Sequence, residues 1–173
     1  MKKITTPLDK KQIEELRPGD EVLLNGIVYT ARDQAHKRLA EAIKTGKKLS
    51  LDLKGAIIYY CGPTGTPSGK IIGSCGPTTA SRMDLFTPAL LKAGLLGMIG
   101  KGARSKEVSA AIKKYKAVYF LTLAGCGALL NKCIKKAKLV AYKDLGPEAI
   151  LKLEVKDFPL IVGIDPKGRS VYG

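Results

Sequence analysis

The chain has 173 residues, 45% of them hydrophobic, which is enough to bury a core as one domain spanning 1–173. Thirty basic residues against 15 acids give a formal charge of +15, a field that attracts nucleic acid, phosphate, carboxylate or an acidic partner. There is no run of ~18 uninterrupted apolar residues, and "MKKITTPLDK" lacks the apolar middle of an export signal, so a cytoplasmic protein is expected.

In chain order, "ITTPL" reads as a strand and "DKKQIEELRPGD" as a short helical turn stopped by Pro18-Gly19. "EVLLNGIVYTA" reads as a strand pair turning at Asn25-Gly26, a strong hairpin signal. "ARDQAHKRLAEAIKTGKK" is a helix with Ala35, Leu39, Ala42 and Ile43 on one stripe, ended at Gly46. "GAIIYYCGP" is a strand closed by Gly-Pro, and "TGTPSGKIIGSCGP" a loop with a further short strand. The alternation then continues through helix "MDLFTPALLKAGL", broken early by Pro88, strand "GMIG", helix "SKEVSAAIKKY", strand "AVYFLTLAG", helix "CGALLNKCIKK" and strand "KLVAY". Three strands, "AILKLEV", "FPLIVGI" and "RSVYG", close the chain. The pattern predicts a mixed α/β domain with hairpin-like strands at both ends.

The arginines are Arg17, Arg32, Arg38, Arg82, Arg104 and Arg169, set among many more lysines, so each marks a place where a planar fork is specifically useful. Three strand-to-helix junctions carry a cation at the positive end of a helix. Thr30 and Asp33 fit a capping box around Arg32, Ser81 and Asp84 fit one around Arg82, and Ser105 caps a helix fed by Lys101 and Arg104. Such junctions bind anions, and three converging would hold a small polyanion. The bland reading pairs each arginine with a nearby acid such as Asp33 or Asp84. Thr78 and Thr79, thrown by Gly76-Pro77 toward Arg82, can cap, bind a ligand oxygen or move a proton. His36, the sole histidine, lies four residues after Arg32 on the same helix face and is either structural or within reach of a ligand held by Arg32.

Cys61, Cys75, Cys126 and Cys133 show neither CxxC nor zinc-finger spacing, so no metal site within this chain is expected, and the cysteines are read as reduced, buried thiols. "GPTGTPSGKI" is not a phosphate-binding Walker loop, and "AGCGALL" lacks the third glycine of a dinucleotide fingerprint. A basic nucleic-acid-binding module is the rival class. Aromatic content of 6%, the absence of tryptophan and cations at helix starts rather than along a stripe speak against it.

"GPTTASRMD" at 76–84, "ARDQAHKRL" at 31–39 and "GKGARS" at 100–105 resemble the signature segments of class I, iron-sulfur fumarate hydratases, in their C-terminal domain or separate beta subunit. The resemblance spans nearly the whole chain. L(+)-tartrate dehydratase beta subunits look similar around "GPTT" and "RD..H", while "KGARS" looks more like the fumarase form. The resemblance implies a swivelling β/β/α-type single domain with a mixed sheet, closing over a site built mainly on an alpha subunit. That partner would ligate a 4Fe-4S cluster acting as a Lewis acid. The resemblance further implies that Arg32, Arg82 and Lys101 bind the carboxylates of malate or fumarate, that Thr78 takes the C3 proton with help from an acid of the partner, that Thr79 positions substrate or loop, and that His36 moves a proton or orients Arg32.

Overall fold

The computed structural model describes residues 1–122 and 125–173. Among them, β1 (Lys2–Thr5), β2 (Glu21–Thr30), β3 (Ile57–Tyr59), β4 (Gly97–Gly100), β5 (Val118–Leu121), β6 (Ile134–Ala141) and β7 (Ile150–Ile164) form one sheet in the order β1-β2-β3-β4-β5-β7-β6. Strands β1 to β5 run parallel, and β7 is antiparallel to β5, β6 and β2. The β2–β7 pairing closes β2, β3, β4, β5 and β7 into a five-stranded barrel. A strand has two edges. Because β7 lies along one edge of β2 from Glu21 to Tyr29, β1 and β3 share the other, with β1 at its start and β3 at its end.

The period-two alternation of strand side chains builds two cores. Ile57, Tyr59, Ile99, Val118 and Phe120 point into the barrel with Val22, Leu24, Leu153 and Val162. Ile58, Met98 and Tyr119 point outward beneath α2 (Asp33–Lys44), α3 (Thr87–Lys92) and α4 (Lys106–Tyr115), against Ala35, Leu39, Leu90, Val108 and Ile112. With both faces covered, these short strands read as continuous apolar runs. The expected mixed α/β fold with a mixed sheet is the one observed.

Several local expectations give way to pairing. Asn25-Gly26 makes no hairpin, since β2 runs straight through it. Opposite Asn25, β7 carries one extra residue, with Leu24 facing Phe158 and Gly26 facing Val155. Asp157 at this bulge has φ 49°, and its N–H donates to Asn25 Oδ1 at 3.0 Å. The bulge switches the inward side of β7 from Leu153 and Val155 to Phe158, Leu160 and Val162. Thus "AILKLEV" and "FPLIVGI" are one strand with a phase change. Gly26 itself, at φ 101°, lets the chain pass Thr6, whose hydroxyl accepts from the Ile27 N–H.

In "CGALLNKCIKK" the α-helix α5 covers only Gly127–Leu130, followed by a 3-10 turn at Asn131–Cys133, and "IKK" opens β6 because β7 offers it a ladder. α3 begins at Thr87, with Pro88 in its first turn where a missing N–H is harmless. α1 (Lys10–Ile13) starts at Asp9, whose side chain accepts from the Gln12 N–H at 2.8 Å. The stretch 62–76 holds no strand, and "RSVYG" contributes only a bridge from Ser170 to Ile164. The last part of "AVYFLTLAG" and the start of "AGCGALL" fall on residues 123 and 124, outside the described residues.

Candidate functional site at the carboxyl ends of the parallel strands

The loops leaving β2, β3 and β4 meet at one end of the barrel, where open crevices form in parallel sheets. The Ala31 N–H donates to the Tyr59 carbonyl at 3.1 Å, binding the loop after β2 to the end of β3. After β3 the chain makes a long excursion and returns at Gly76-Pro77. The Thr78 N–H then donates to the Tyr60 carbonyl at 2.7 Å. The Lys101 N–H donates to the Thr78 carbonyl at 3.3 Å, and the Ala80 N–H donates to the Lys101 carbonyl at 2.9 Å. Thr78, Thr79 and Lys101 are therefore held side by side by main-chain bonds, with Thr78 and Lys101 half-buried and Thr79 exposed.

Arg32 lies across Gly62, just past β3, so close that a Cβ at Gly62 would strike its guanidinium and lie 2.8 Å from its Cδ. The Arg32 Nε is buried and has no hydrogen-bond partner among the described residues. The returning segment is anchored from below. The Tyr59 hydroxyl donates to the Cys75 carbonyl at 2.5 Å, and Cys75 is bonded to Cys61 in a disulfide with Cα atoms 5.9 Å apart. This corrects the expectation of four isolated thiols for that pair, while Cys126 and Cys133 are free. The two partners were brought together by the excursion between them, which spacing alone does not disclose.

Neither capping box around the arginines forms. The Thr30 hydroxyl donates to the Ala149 carbonyl at 3.4 Å and accepts from the Leu151 N–H at 3.0 Å, so it serves the junction with β7. Arg32 itself is the N-cap residue of α2, without a side-chain cap bond, and the Gln34 N–H is taken by Glu148 at 3.2 Å. Ala80–Met83 is a single 3-10 turn, in which Arg82 stands in the last turn and Asp84 after it. Only the Ser105 cap is as expected, accepting from the Val108 N–H at 3.2 Å. The idea of three open helix ends therefore gives way to ends already served by internal partners.

Two arginines take the bland option. Arg82 Nε and Nη2 donate to Asp33 Oδ1 and Oδ2 at 3.1 and 2.6 Å, joining the loop after β3 to the first turn of α2. Arg104 has a side chain 0% exposed, donates to Asp84 at 2.6 Å and Thr87 at 2.8 Å, and lies 5.3 and 4.9 Å from the ring centres of Tyr60 and Tyr119. Asp84 also accepts from the Ser105 N–H at 2.7 Å, and the Tyr119 hydroxyl donates to the Gly102 carbonyl at 2.9 Å. Arg104 and Asp84 thereby lock the loop that carries Lys101. Burial raises the Tyr119 hydroxyl above its ordinary range, so it stays a donor.

His36 is wholly buried against Tyr60, edge to face at 5.2 Å between ring centres, and near Phe86 at 6.3 Å. Its Nδ1 lies 2.9 Å from the Arg32 carbonyl, an acceptor, so Nδ1 carries the proton and donates. Burial pulls its pKa down to about 4, helped by the positive charge of Arg104. The ring is neutral at neutral pH.

A cleft of about 410 Å³ opens beside Lys101, walled by Gly102, Leu121, Thr122, Leu130 and Leu160. A larger one of about 910 Å³, around Lys10, Arg17, Lys116 and Arg169, includes none of the candidate residues. No group of three His, Cys, Asp or Glu side chains that could hold a metal occurs among the described residues. No helix among them is long and apolar enough to cross a membrane.

The fold is a closed mixed barrel that carries hydroxyls and cations on three adjacent loops at one end. The family described as "Fumarase C-terminus" matches residues 2–173, and the chain belongs to it. Over 170 residues the chain is 40% identical to fumarate hydratase 2 of Leishmania major, covering 96% of this chain and 30% of that protein. It is 40% identical over 163 residues to the anaerobic class I fumarate hydratase of Escherichia coli, covering 93% and 30%. A Methanocaldococcus jannaschii protein, provisionally named as an L(+)-tartrate dehydratase beta subunit, is 40% identical over 171 residues, covering 95% of this chain and 88% of its own length. The chain thus spans under a third of the fumarate hydratases and most of the beta subunit.

Proposed function

We propose that this chain is the beta part of a hydro-lyase interconverting (S)-malate with fumarate and water. The observation that carries the reading is the main-chain clasp of Thr78 and Thr79 against Lys101, with Arg32 stretched over the neighbouring loop. Arg32, Lys101 and Arg82 bind the substrate carboxylates, and Thr79 positions them. Thr78 accepts the C3 proton. Loss of that proton builds negative charge toward the adjacent carboxylate, which the cations stabilise. A threonine hydroxyl is a weak base alone, so a group from a partner must assist it.

The partner in this reading is an alpha subunit that carries the 4Fe-4S cluster, in keeping with the lack of a three-ligand group among the described residues here; rotation of this domain closes the shared site. The match over most of a separate beta subunit favours the two-chain arrangement and keeps L(+)-tartrate as the second substrate to test. His36, buried and donating to the Arg32 main chain, orients that loop in this reading rather than moving the substrate proton.

The test is anaerobic reconstitution with a cluster-bearing alpha chain, followed by assays with malate, fumarate and tartrate. Thr78→Ala is expected to lower kcat by ~10²-fold or more with assembly unchanged. A complex with an intact cluster that acts on none of these acids overturns the reading.

A further inference from the structure

We propose that Asp33 is a positioning residue, holding the Arg82 guanidinium so that its outer edge faces the substrate carboxylate. The inference rests on the function proposed above and reconciles the substrate role proposed for Arg82 with the observation that its side chain is already paired.

A guanidinium has five N–H groups. Asp33 takes the Nε–H and one Nη2–H in parallel, fixing the plane of the fork. The other Nη2–H and both Nη1–H groups remain. One hydrogen from each nitrogen can meet a second carboxylate on the outer edge in the same bidentate geometry. The pair is open enough for this, with side-chain exposures of 49% for Arg82 and 29% for Asp33.

The holder is also more rigid than the held. Asp33 opens α2, a 12-residue helix anchored by Ala35, His36 and Leu39, and a negative charge is favoured in its first turn. Arg82 projects from a single 3-10 turn. Without Asp33 its long side chain would have to be ordered by substrate, which weakens binding.

A charge effect and a positioning effect have opposite signs here. If Asp33 only lowered the local positive potential, its removal would tighten binding of a dianion. If it positions Arg82, removal loosens binding.

The experiment uses the reconstituted complex with its cluster content verified. Asp33→Asn is expected to raise KM for malate ~10-fold and to weaken binding of succinate, measured by calorimetry, by a similar factor, with kcat changed less. Asp33→Glu, which keeps the carboxylate, should recover most of the loss. In an Arg82→Lys background, Asp33→Asn should add little, because the acid acts through the fork. Unchanged or tighter succinate binding in Asp33→Asn overturns the proposal. So does an equal loss in the Arg82→Lys background. A wild-type complex that neither turns over malate nor binds succinate fails earlier, removing the function on which this proposal rests and the proposal with it.

Discussion

His36 gives a stability prediction whose sign and size follow from its burial. Its pKa is about 4 in the folded chain against an ordinary 6.5. As pH falls, the unfolded chain takes up the proton first, so the stability due to the neutral buried ring is complete above pH 6.5 and is lost as pH falls toward 4. A gap of ~2.5 units at about 1.4 kcal/mol each makes the full loss roughly 3–4 kcal/mol, reached only below the folded pKa. His36→Asn removes the titration while leaving a side-chain amide able to donate to the Arg32 carbonyl. Urea unfolding of both proteins at about pH 7.5, 5.5 and 4.5 isolates the contribution, because other titrating groups cancel in the difference. Wild type should lose roughly 2–3 kcal/mol relative to His36→Asn across that range, because pH 4.5 still lies above the folded pKa of about 4. A difference that stays constant with pH would refute the reasoning, because it would mean that the imidazole gains a proton as readily folded as unfolded, and so reaches water.

Two other substitutions probe how the loops are held. Asp84→Ala strands the buried Arg104 guanidinium and the Ser105 N–H together, and should cost ~3–5 kcal/mol in denaturant unfolding; a loss below ~1 kcal/mol would mean that Arg104 finds water or another acceptor. Gly62→Ala places a methyl group where the Arg32 side chain lies, and should raise KM of the reconstituted enzyme ~10-fold with the thermal midpoint nearly unchanged. An unaltered KM would mean that Arg32 has no part in binding.

Long periodic segments were legible. The stripe of Ala35 and Leu39 gave α2, and the Ser105 cap gave the start of α4, because both signals lie within a few residues of one another. Short Gly-containing stretches were not. Asn25-Gly26 carries the local chemistry of a turn, but the bulge at Asp157, more than a hundred residues later, uses the Asn25 side chain as an acceptor within a continuous ladder. "IKK" after Cys133 continues a helical composition, yet it forms a strand because β7 supplies the partner. Tyr60 and Glu148 carry no local signal that places them beside these loops. Asp33 and Asp84 were visible as acids beside arginines, but nothing in the order of residues says that Asp33 takes Arg82, 49 positions on, while Asp84 takes Arg104.

Residue order alone shows which groups have chemistry suited to a small anion: hydroxyls after Gly-Pro and a few arginines among many lysines. It also determined the alternation that makes the fold mixed α/β, since period and composition are local properties. Which of those groups meet is set by the packing of the barrel and its loops. Closure of β2 against β7 and the return of the chain at Gly76 bring Thr78 to Lys101 and Arg32 to Gly62, and commit Arg82 and Arg104 to acids of other loops. Pairing across the barrel is a long-range choice among edges and charges, and no window of neighbouring residues contains it.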